Sequence, residues 1–129
     1  MSYQNVMITK CVVSLVFGVV LLSAPGELLG ILGTTLGPGG AFTAREYAAA
    51  LLGNATLTWF ARAAAPSDAR RAIILALFVY DAIGFAASLF TVLSGVLNSL
   101  GWSIVVIYLF FTLAFGNLLR VSPAAPATS

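Results

Sequence analysis

The sequence predicts an all-α membrane protein in which four transmembrane helices pack as one bundle. Of its 129 residues, 60% are hydrophobic and only 8% are charged, whereas soluble domains carry about 25% charged residues. The apolar residues fall in runs of roughly 20, the length that a helix needs to cross the hydrocarbon core. Segments rich in glycine, proline and asparagine separate these runs. We therefore expect a single transmembrane domain over residues 1–120.

The first predicted span covers residues 6–23. Lys10 lies in its first turns, where a long side chain can extend to the lipid headgroups. A cleaved signal peptide is the alternative, but Pro25 follows the apolar run and no A-x-A cleavage site is present. The glycine-rich stretch 26–33 is too short to cross, so we expect a turn or a short helix at the interface.

The second predicted span covers residues 44–65. Thr43 and Glu46 have the spacing of a capping box, in which the threonine caps the helix and the glutamate bonds back to the threonine amide. Pro66 ends the span. The third span covers residues 69–97, with Ser67 or Asp68 as its cap.

The fourth span covers residues 102–119, after a tight turn that contains Asn98 and Gly101. The proline- and alanine-rich stretch 121–129 is predicted to be a disordered tail.

The distribution of charge predicts the orientation. Four spans place both termini on one side, together with Lys10, Arg62, Arg70, Arg71 and Arg120. The opposite loops contain only Arg45 as a basic residue. Positive residues favour the cytoplasmic side, so both termini are expected to be cytoplasmic.

Asp81 lies near the middle of the third span. A central aspartate costs roughly 2.5–3.5 kcal/mol in the membrane, so its side chain is expected to face other helices. Asn54 lies at a similar depth in the second span, and the two side chains are predicted to form a polar clasp. The alternative is a proton or ion relay through Asp81, although a relay normally needs a chain of titratable groups.

Gly84 and Ser88 share the helical face of Asp81 and form a small-xxx-small pair, which permits close helix packing. Arg62, Arg70 and Arg71 form a predicted cytoplasmic basic cluster. Such a cluster orients the chain and attracts anionic lipid, and a protein partner is the alternative use.

The composition excludes several kinds of chemistry. The chain has no histidine and one cysteine, Cys11, so the usual near-neutral base and the commonest metal ligand are missing. No nucleotide-binding motif or catalytic triad is present. The net charge of +2 gives no reason to expect nucleic-acid binding. We therefore predict no enzymatic activity, no metal and no required cofactor.

Six phenylalanines in the last two spans offer a possible pocket for a quinone, a carotenoid or another apolar molecule, with packing as the simpler interpretation. These residues are Phe78, Phe85, Phe90, Phe110, Phe111 and Phe115.

Short motifs from the second span onward resemble small, functionally uncharacterised bacterial membrane proteins with four spans, which are loosely similar to DoxX-like proteins. The motifs are Ala44-Arg45, Leu51-Leu52-Gly53, Trp59-Phe60-Ala61-Arg62, Ala69-Arg70-Arg71-Ala72, Leu93-Ser94-Gly95-Val96-Leu97-Asn98, Gly101-Trp102 and Tyr108-Leu109-Phe110-Phe111. The resemblance implies a bacterial inner-membrane protein and no catalytic residue. DoxX-type proteins are associated with quinone-linked oxidation.

Three functions are compatible with the sequence. The first is an accessory or assembly subunit of a larger bacterial membrane complex, whose partners would be the lipid bilayer and other membrane subunits or a second copy. The second is a small transporter or channel that uses Asp81. The third is a quinone- or pigment-binding membrane subunit.

Overall fold

The computed structural model describes residues 1–121, which form five helices and no strands. The helices are α1 (Tyr3–Ser23), α2 (Pro25–Ile31), α3 (Pro38–Ala61), α4 (Asp68–Leu93) and α5 (Gly101–Val121). Within this part of the chain, α1, α4 and α5 are long and apolar enough to cross a membrane. The predicted tail 121–129 lies outside the described residues except for Val121, which ends α5.

The first half of the chain begins with a capped helix. The Ser2 side chain accepts a hydrogen bond from the Asn5 amide at 3.2 Å, which starts α1 three residues before the predicted boundary. Pro25 then begins α2, where a missing amide hydrogen costs nothing at the first helical position. This short helix occupies the stretch that the sequence assigned to a turn or a short interfacial helix.

The capping box predicted at Thr43 and Glu46 is wrong. Helix α3 begins at Pro38, with extended Gly37 as its cap residue, so both residues lie inside the helix. The Thr43 hydroxyl donates to the Gly39 carbonyl at 3.0 Å. Proline has a helix-compatible φ and no amide hydrogen that would need a partner at the first helical position. The helix therefore begins at Pro38, before the capping residue predicted at Thr43.

Helix α4 begins at Asp68, one residue before the predicted span, and ends four residues before the predicted boundary. The Ser67 hydroxyl accepts from the Arg70 amide at 3.1 Å. The helix ends at Leu93, because Gly95 adopts a left-handed φ of +77° and the Val96 amide bonds back to the Thr91 carbonyl. Such a glycine stop ends many helices, and α4 is therefore shorter than the predicted span, which continued to residue 97.

The four long helices form two antiparallel pairs, α1 with α3 and α4 with α5. Gly18 lets α1 approach α3, since a Cβ there would lie 2.9 Å from the Leu52 side chain. One end of the molecule, called here the N-terminal end, contains Tyr3, the end of α3 and the end of α5. The Tyr3 hydroxyl donates to the Ala61 carbonyl at 2.8 Å.

A packed core joins the two helix pairs at the N-terminal end. Its buried members come from α1, α3, α4 and α5, and they are Tyr3, Val6, Met7, Ala61, Ile74, Leu77, Phe111, Phe115 and Leu118.

At the opposite end, called here the α2 end, two hydrogen bonds link Asn98 to the end of α2. The Asn98 amide donates to the Leu32 carbonyl at 2.8 Å, and its side chain donates to the Ile31 carbonyl at 2.9 Å.

Large apolar side chains cover much of the surface. Phe60, Phe90 and Leu113 are 79%, 74% and 64% exposed. Monomeric soluble proteins rarely expose such continuous apolar surface. Together with the three long apolar helices, this surface identifies a membrane protein.

Candidate functional site

The centre of the molecule contains a buried ion pair between α1 and α4. The Lys10 ammonium lies 2.6 Å from Asp81 Oδ1, and the residues are 3% and 0% exposed. Asp81 is thus shielded from lipid, as its position in an apolar helix requires. The expectation that Lys10 extends to the headgroups is wrong, because it lies seven residues along α1 from Tyr3, about 10 Å into the molecule.

The predicted clasp between Asp81 and Asn54 is also wrong. Asp81 bonds to Lys10, and among the described residues neither Asp81 Oδ2 nor the Asn54 side-chain nitrogen has a hydrogen-bond partner. A buried carboxylate gains more from a cation than from an amide, since charge-assisted hydrogen bonds are roughly twice as strong. Because the Lys10 side chain was expected at the lipid headgroups, the Asn54 amide was predicted to be the partner of Asp81.

Two aromatic rings stabilise the Lys10 ammonium further. Its nitrogen lies 4.9 Å from the ring centre of Tyr80 and 4.6 Å from that of Phe111. A cation over an aromatic face gains electrostatic energy from the ring, and the gain is larger where water is excluded. Aromatic side chains from both α4 and α5 therefore lie next to the ammonium of the ion pair.

A cluster of three tyrosines lies next to the ion pair. Tyr47 comes from α3, Tyr80 from α4 and Tyr108 from α5. The Tyr80 hydroxyl donates to the Tyr47 oxygen at 2.8 Å, and the hydroxyls of Tyr47 and Tyr108 share a second hydrogen bond. The rings of Tyr80 and Tyr108 are tilted by 50°, with centres 6.3 Å apart. These contacts connect both helix pairs at mid-height.

Gly84 and Ser88 lie on the same wall of α4, above Tyr80. Gly84 faces the Tyr108 ring, and a Cβ at this position would overlap that ring. The Ser88 hydroxyl donates to the Phe85 carbonyl at 3.1 Å. The small residue at position 84 therefore makes room for the tyrosine that links α5 to the cluster.

A cavity of about 810 Å³ opens above the tyrosine cluster. On each long helix, its lining begins near mid-height and continues towards the α2 end. The lining residues nearest the N-terminal end are Lys10 on α1, Leu51 on α3, Tyr80 on α4 and Tyr108 on α5. Lys10, Leu51 and the three tyrosines form the floor of the cavity, and the packed core lies beneath this floor.

The walls and roof of the cavity are mainly apolar. The roof includes Leu28 and Leu29 of α2 together with Leu97. Thr43 on α3 and Ala87 on α4 line the cavity and are also exposed. The cavity therefore reaches the surface between α3 and α4, above the hydrogen bond between Tyr47 and Tyr80.

The phenylalanine pocket expected from the sequence does not form. Phe111 and Phe115 belong to the packed core, whereas Phe90 and Phe110 are exposed. None of the six phenylalanines lines the large cavity, to which Phe17 contributes instead. The sequence positions of the phenylalanines did not reveal where their rings lie, because neighbouring residues on a helix face different directions.

The basic residues Arg62, Arg70 and Arg71 all lie at the N-terminal end, at the end of α3 and the start of α4. Arg70 donates to the Ala64 carbonyl at 3.0 Å and lies 3.8 Å from the ring centre of Tyr3. Arg71 donates to the Leu119 carbonyl at 3.2 Å. The guanidinium of Arg62 lies over Trp59.

Sequence reasoning missed Lys10 and understated the tyrosines. None of Tyr47, Tyr80 and Tyr108 was among the site residues predicted from the sequence. A usable signal was present, since Lys10 and Asp81 are single charges of opposite sign within two long apolar runs.

The chain matches no protein-family model, no curated protein and no solved structure. The resemblance to DoxX-like proteins therefore stays a prediction. Residues 1–121 contain no group of metal-ligating side chains.

Proposed function

We propose that this chain is a non-enzymatic integral membrane protein that binds a small, largely apolar molecule in the cavity above the tyrosine cluster. The observation that carries the proposal is the cavity itself, which combines mainly apolar walls with a smaller number of polar side chains, including Lys10 and the three tyrosines at its floor. Ligand sites usually have this composition and occupy about 300–1,000 Å³. The volume of about 810 Å³ falls within this range.

The proposal includes four crossings in a bacterial inner membrane, with both termini in the cytoplasm. The fourth crossing is α3, whose 24 residues span about 36 Å. It packs along α1, and its polar residue Thr58 is buried inside the molecule. Four of the six basic residues, Arg62, Arg70, Arg71 and Arg120, lie at the N-terminal end, which supports a cytoplasmic location for that end.

A cavity-filling substitution tests the proposal. The full chain is purified from native membranes in mild detergent, and bound small molecules are measured by native mass spectrometry. Ser88→Phe places a ring in the cavity, whereas Ala86→Phe adds the same ring to an exposed position two residues away that does not line it. We expect bound apolar molecules in the wild type and in Ala86→Phe, and their loss in Ser88→Phe.

Two outcomes would overturn the proposal. One is a wild-type chain that carries no molecule after purification and takes up none when apolar compounds are added. The other is equal occupancy in both variants. Thr91→Leu is a milder second variant in the cavity wall, and circular dichroism shows whether each protein is folded.

Transport is a second candidate, favoured by the position of the Lys10–Asp81 pair beneath a cavity that opens to one side. Proton or ion flux into liposomes with wild type and Asp81→Asn tests it, and a wild type without flux contradicts it. The accessory-subunit hypothesis stays a prediction that mild purification and identification of associated chains would test. Recovery of a lone monomer would contradict it.

A further inference from the structure

We propose that the ligand is an uncharged amphiphile with a hydrogen-bond-accepting oxygen at its tip, such as a carbonyl. The tip lies on the tyrosine cluster, and the hydrocarbon part extends towards α2. This inference rests on the proposed function, because it specifies the molecule that the same cavity binds.

The tyrosine cluster has one more hydroxyl hydrogen than its two hydrogen bonds through Tyr47 use. Tyr80 donates to Tyr47, and either Tyr47 or Tyr108 donates in the second hydrogen bond. The three hydroxyls carry three hydrogens and these two hydrogen bonds use two of them, so the third hydrogen can turn either to a neighbouring hydroxyl of the cluster or to an acceptor in the cavity. All three side chains line the cavity, so the remaining hydrogen is available to an acceptor on the ligand.

Ser14 adds a second polar group on the α1 side. Its residue is 1% exposed, it lines the cavity, and its hydroxyl has no partner among the described residues. Because Ser14 lies four residues after Lys10, both share one face of α1. A buried hydroxyl without a partner loses the hydrogen bonds that water would give it. A ligand oxygen that bonds to Ser14 restores one of them.

The charge balance of the floor favours an uncharged ligand. Lys10 contacts the cavity, but its charge is already compensated by Asp81 at 2.6 Å. A ligand carboxylate would bring a third charge into an apolar space that has no further cation to compensate it. A ligand ammonium would lie close to the like charge of Lys10. Burial of an unpaired charge is costly, whereas a carbonyl oxygen only needs the available donors.

The walls and the mouth fit a hydrocarbon chain that comes from the bilayer. The walls are largely formed by aliphatic and aromatic side chains, including Val13, Phe17, Leu21, Leu29, Ile104 and Ile107. The mouth lies between α3 and α4, where Thr43 and Ala87 are exposed. In the proposed topology this opening faces the lipid, so an amphiphile can enter without passing through water.

Four probes of equal chain length test the ligand class. They are a long-chain methyl ketone, the corresponding alkane, the alkylamine and the fatty acid. Each is titrated onto the full chain in detergent, and occupancy is read by native mass spectrometry. We expect one ketone per chain, bound about tenfold more tightly than the alkane, which corresponds to one hydrogen bond. The amine and the fatty acid are expected to bind more weakly than the ketone.

Tyrosine variants test the position of the tip. The triple variant Tyr47→Phe/Tyr80→Phe/Tyr108→Phe removes every hydroxyl of the cluster together, and such joint replacement leaves no partner unsatisfied. We expect it to reduce the preference for ketone over alkane. The single variant Tyr47→Phe is expected to retain that preference, because the hydroxyls of Tyr80 and Tyr108 remain and at least one of their hydrogens is available to the ligand. Tyr3→Phe is the control, since that hydroxyl bonds to Ala61 outside the cavity.

The outcomes separate this inference from the proposed function. Equal affinity for ketone and alkane overturns the ligand class but leaves an apolar binding cavity. Tighter binding of the amine or the fatty acid overturns the uncharged assignment. If none of the four probes binds, the proposed function fails as well. The wild-type comparison decides the ligand class even if the triple variant does not fold.

Discussion

Lys10 and Asp81 are the charged side chains that the structure buries most deeply within residues 1–121. Each is costly alone in an apolar helix, and their contact compensates both charges. The need to bury Asp81 could be predicted from its sequence position, because a central aspartate is unfavourable in lipid. The identity of its partner could not, since Lys10 lies 71 residues away in the chain and the choice between Lys10 and Asn54 depends on helix rotation.

Removal of one charge is expected to destabilise the protein. Asp81→Asn leaves the Lys10 ammonium buried without a counter-ion, and Lys10→Met leaves the carboxylate alone. Loss of one partner of a buried pair costs about 3–5 kcal/mol, whereas joint replacement by apolar residues is often neutral. The free energy of unfolding in detergent is therefore expected to fall in both single variants and to recover largely in Lys10→Met/Asp81→Leu.

Asp68→Asn on the same helix is the matched control for this pair. Asp68 is exposed in the first turn of α4, where a negative charge contributes about 0.3–1 kcal/mol. A small effect of Asp81→Asn, similar to that of Asp68→Asn, would show that the ion pair does not stabilise the fold.

At the scale of helices, the sequence predicted the existence and order of the elements better than their ends. Apolar runs fixed the approximate positions of α1, α4 and α5, because burial in lipid requires a minimum length. The ends depend on local competition between signals. At Pro38 the proline start prevailed over the capping box at Thr43, and at Gly95 a left-handed glycine ended α4 before the apolar run itself ended.

Cap substitutions distinguish the two helix starts. Ser67→Ala removes the side chain that accepts from the Arg70 amide, and loss of such a cap costs about 1 kcal/mol. Thr43→Ala and Glu46→Ala are expected to change the free energy of unfolding by less than about 0.5 kcal/mol, since these residues lie within α3. If Thr43→Ala is as costly as Ser67→Ala, α3 begins at the capping box after all.

Two glycine substitutions test the contact between α4 and α5. A Cβ at Gly84 would overlap the Tyr108 ring, whereas a Cβ at Gly53 on α3 would meet nothing within 4 Å. Overpacking costs about 1–3 kcal/mol, so Gly84→Ala is expected to lower the thermal stability in detergent. Gly53→Ala is expected to be neutral or to stabilise the protein by up to about 1 kcal/mol, because alanine favours the helix. Equal effects would mean that α4 and α5 are further apart.

The whole molecule consists of two helix pairs that share a packed core at the N-terminal end and enclose a cavity towards the α2 end. The tyrosine cluster lies where the packing ends and the cavity begins. The sequence predicted helices and burial, but it did not predict the cavity, because a cavity depends on which side chains fail to meet. Tyr47, Tyr80 and Tyr108 come from three helices, and only their assembly creates the floor.

The number of crossings is the property of the whole molecule that most needs an experiment, because α1, α4 and α5 meet the length and hydropathy criteria for a span and α3 is the proposed fourth crossing. Single cysteines at Ser2, Thr35, Ala63 and Ser99, all exposed positions, are introduced into a Cys11→Ala background. Cells are then labelled with a maleimide that does not cross membranes.

Four crossings with cytoplasmic termini predict labelling of Thr35→Cys and Ser99→Cys in intact spheroplasts, and of Ser2→Cys and Ala63→Cys only after permeabilisation. If α3 lies along the membrane surface instead, Thr35→Cys and Ala63→Cys react together on one side, and Ser99→Cys joins Ser2→Cys on the other. The positions of Ala63 and Ser99 therefore separate the two topologies, whereas complete inversion of the pattern would retain four crossings and reverse the orientation.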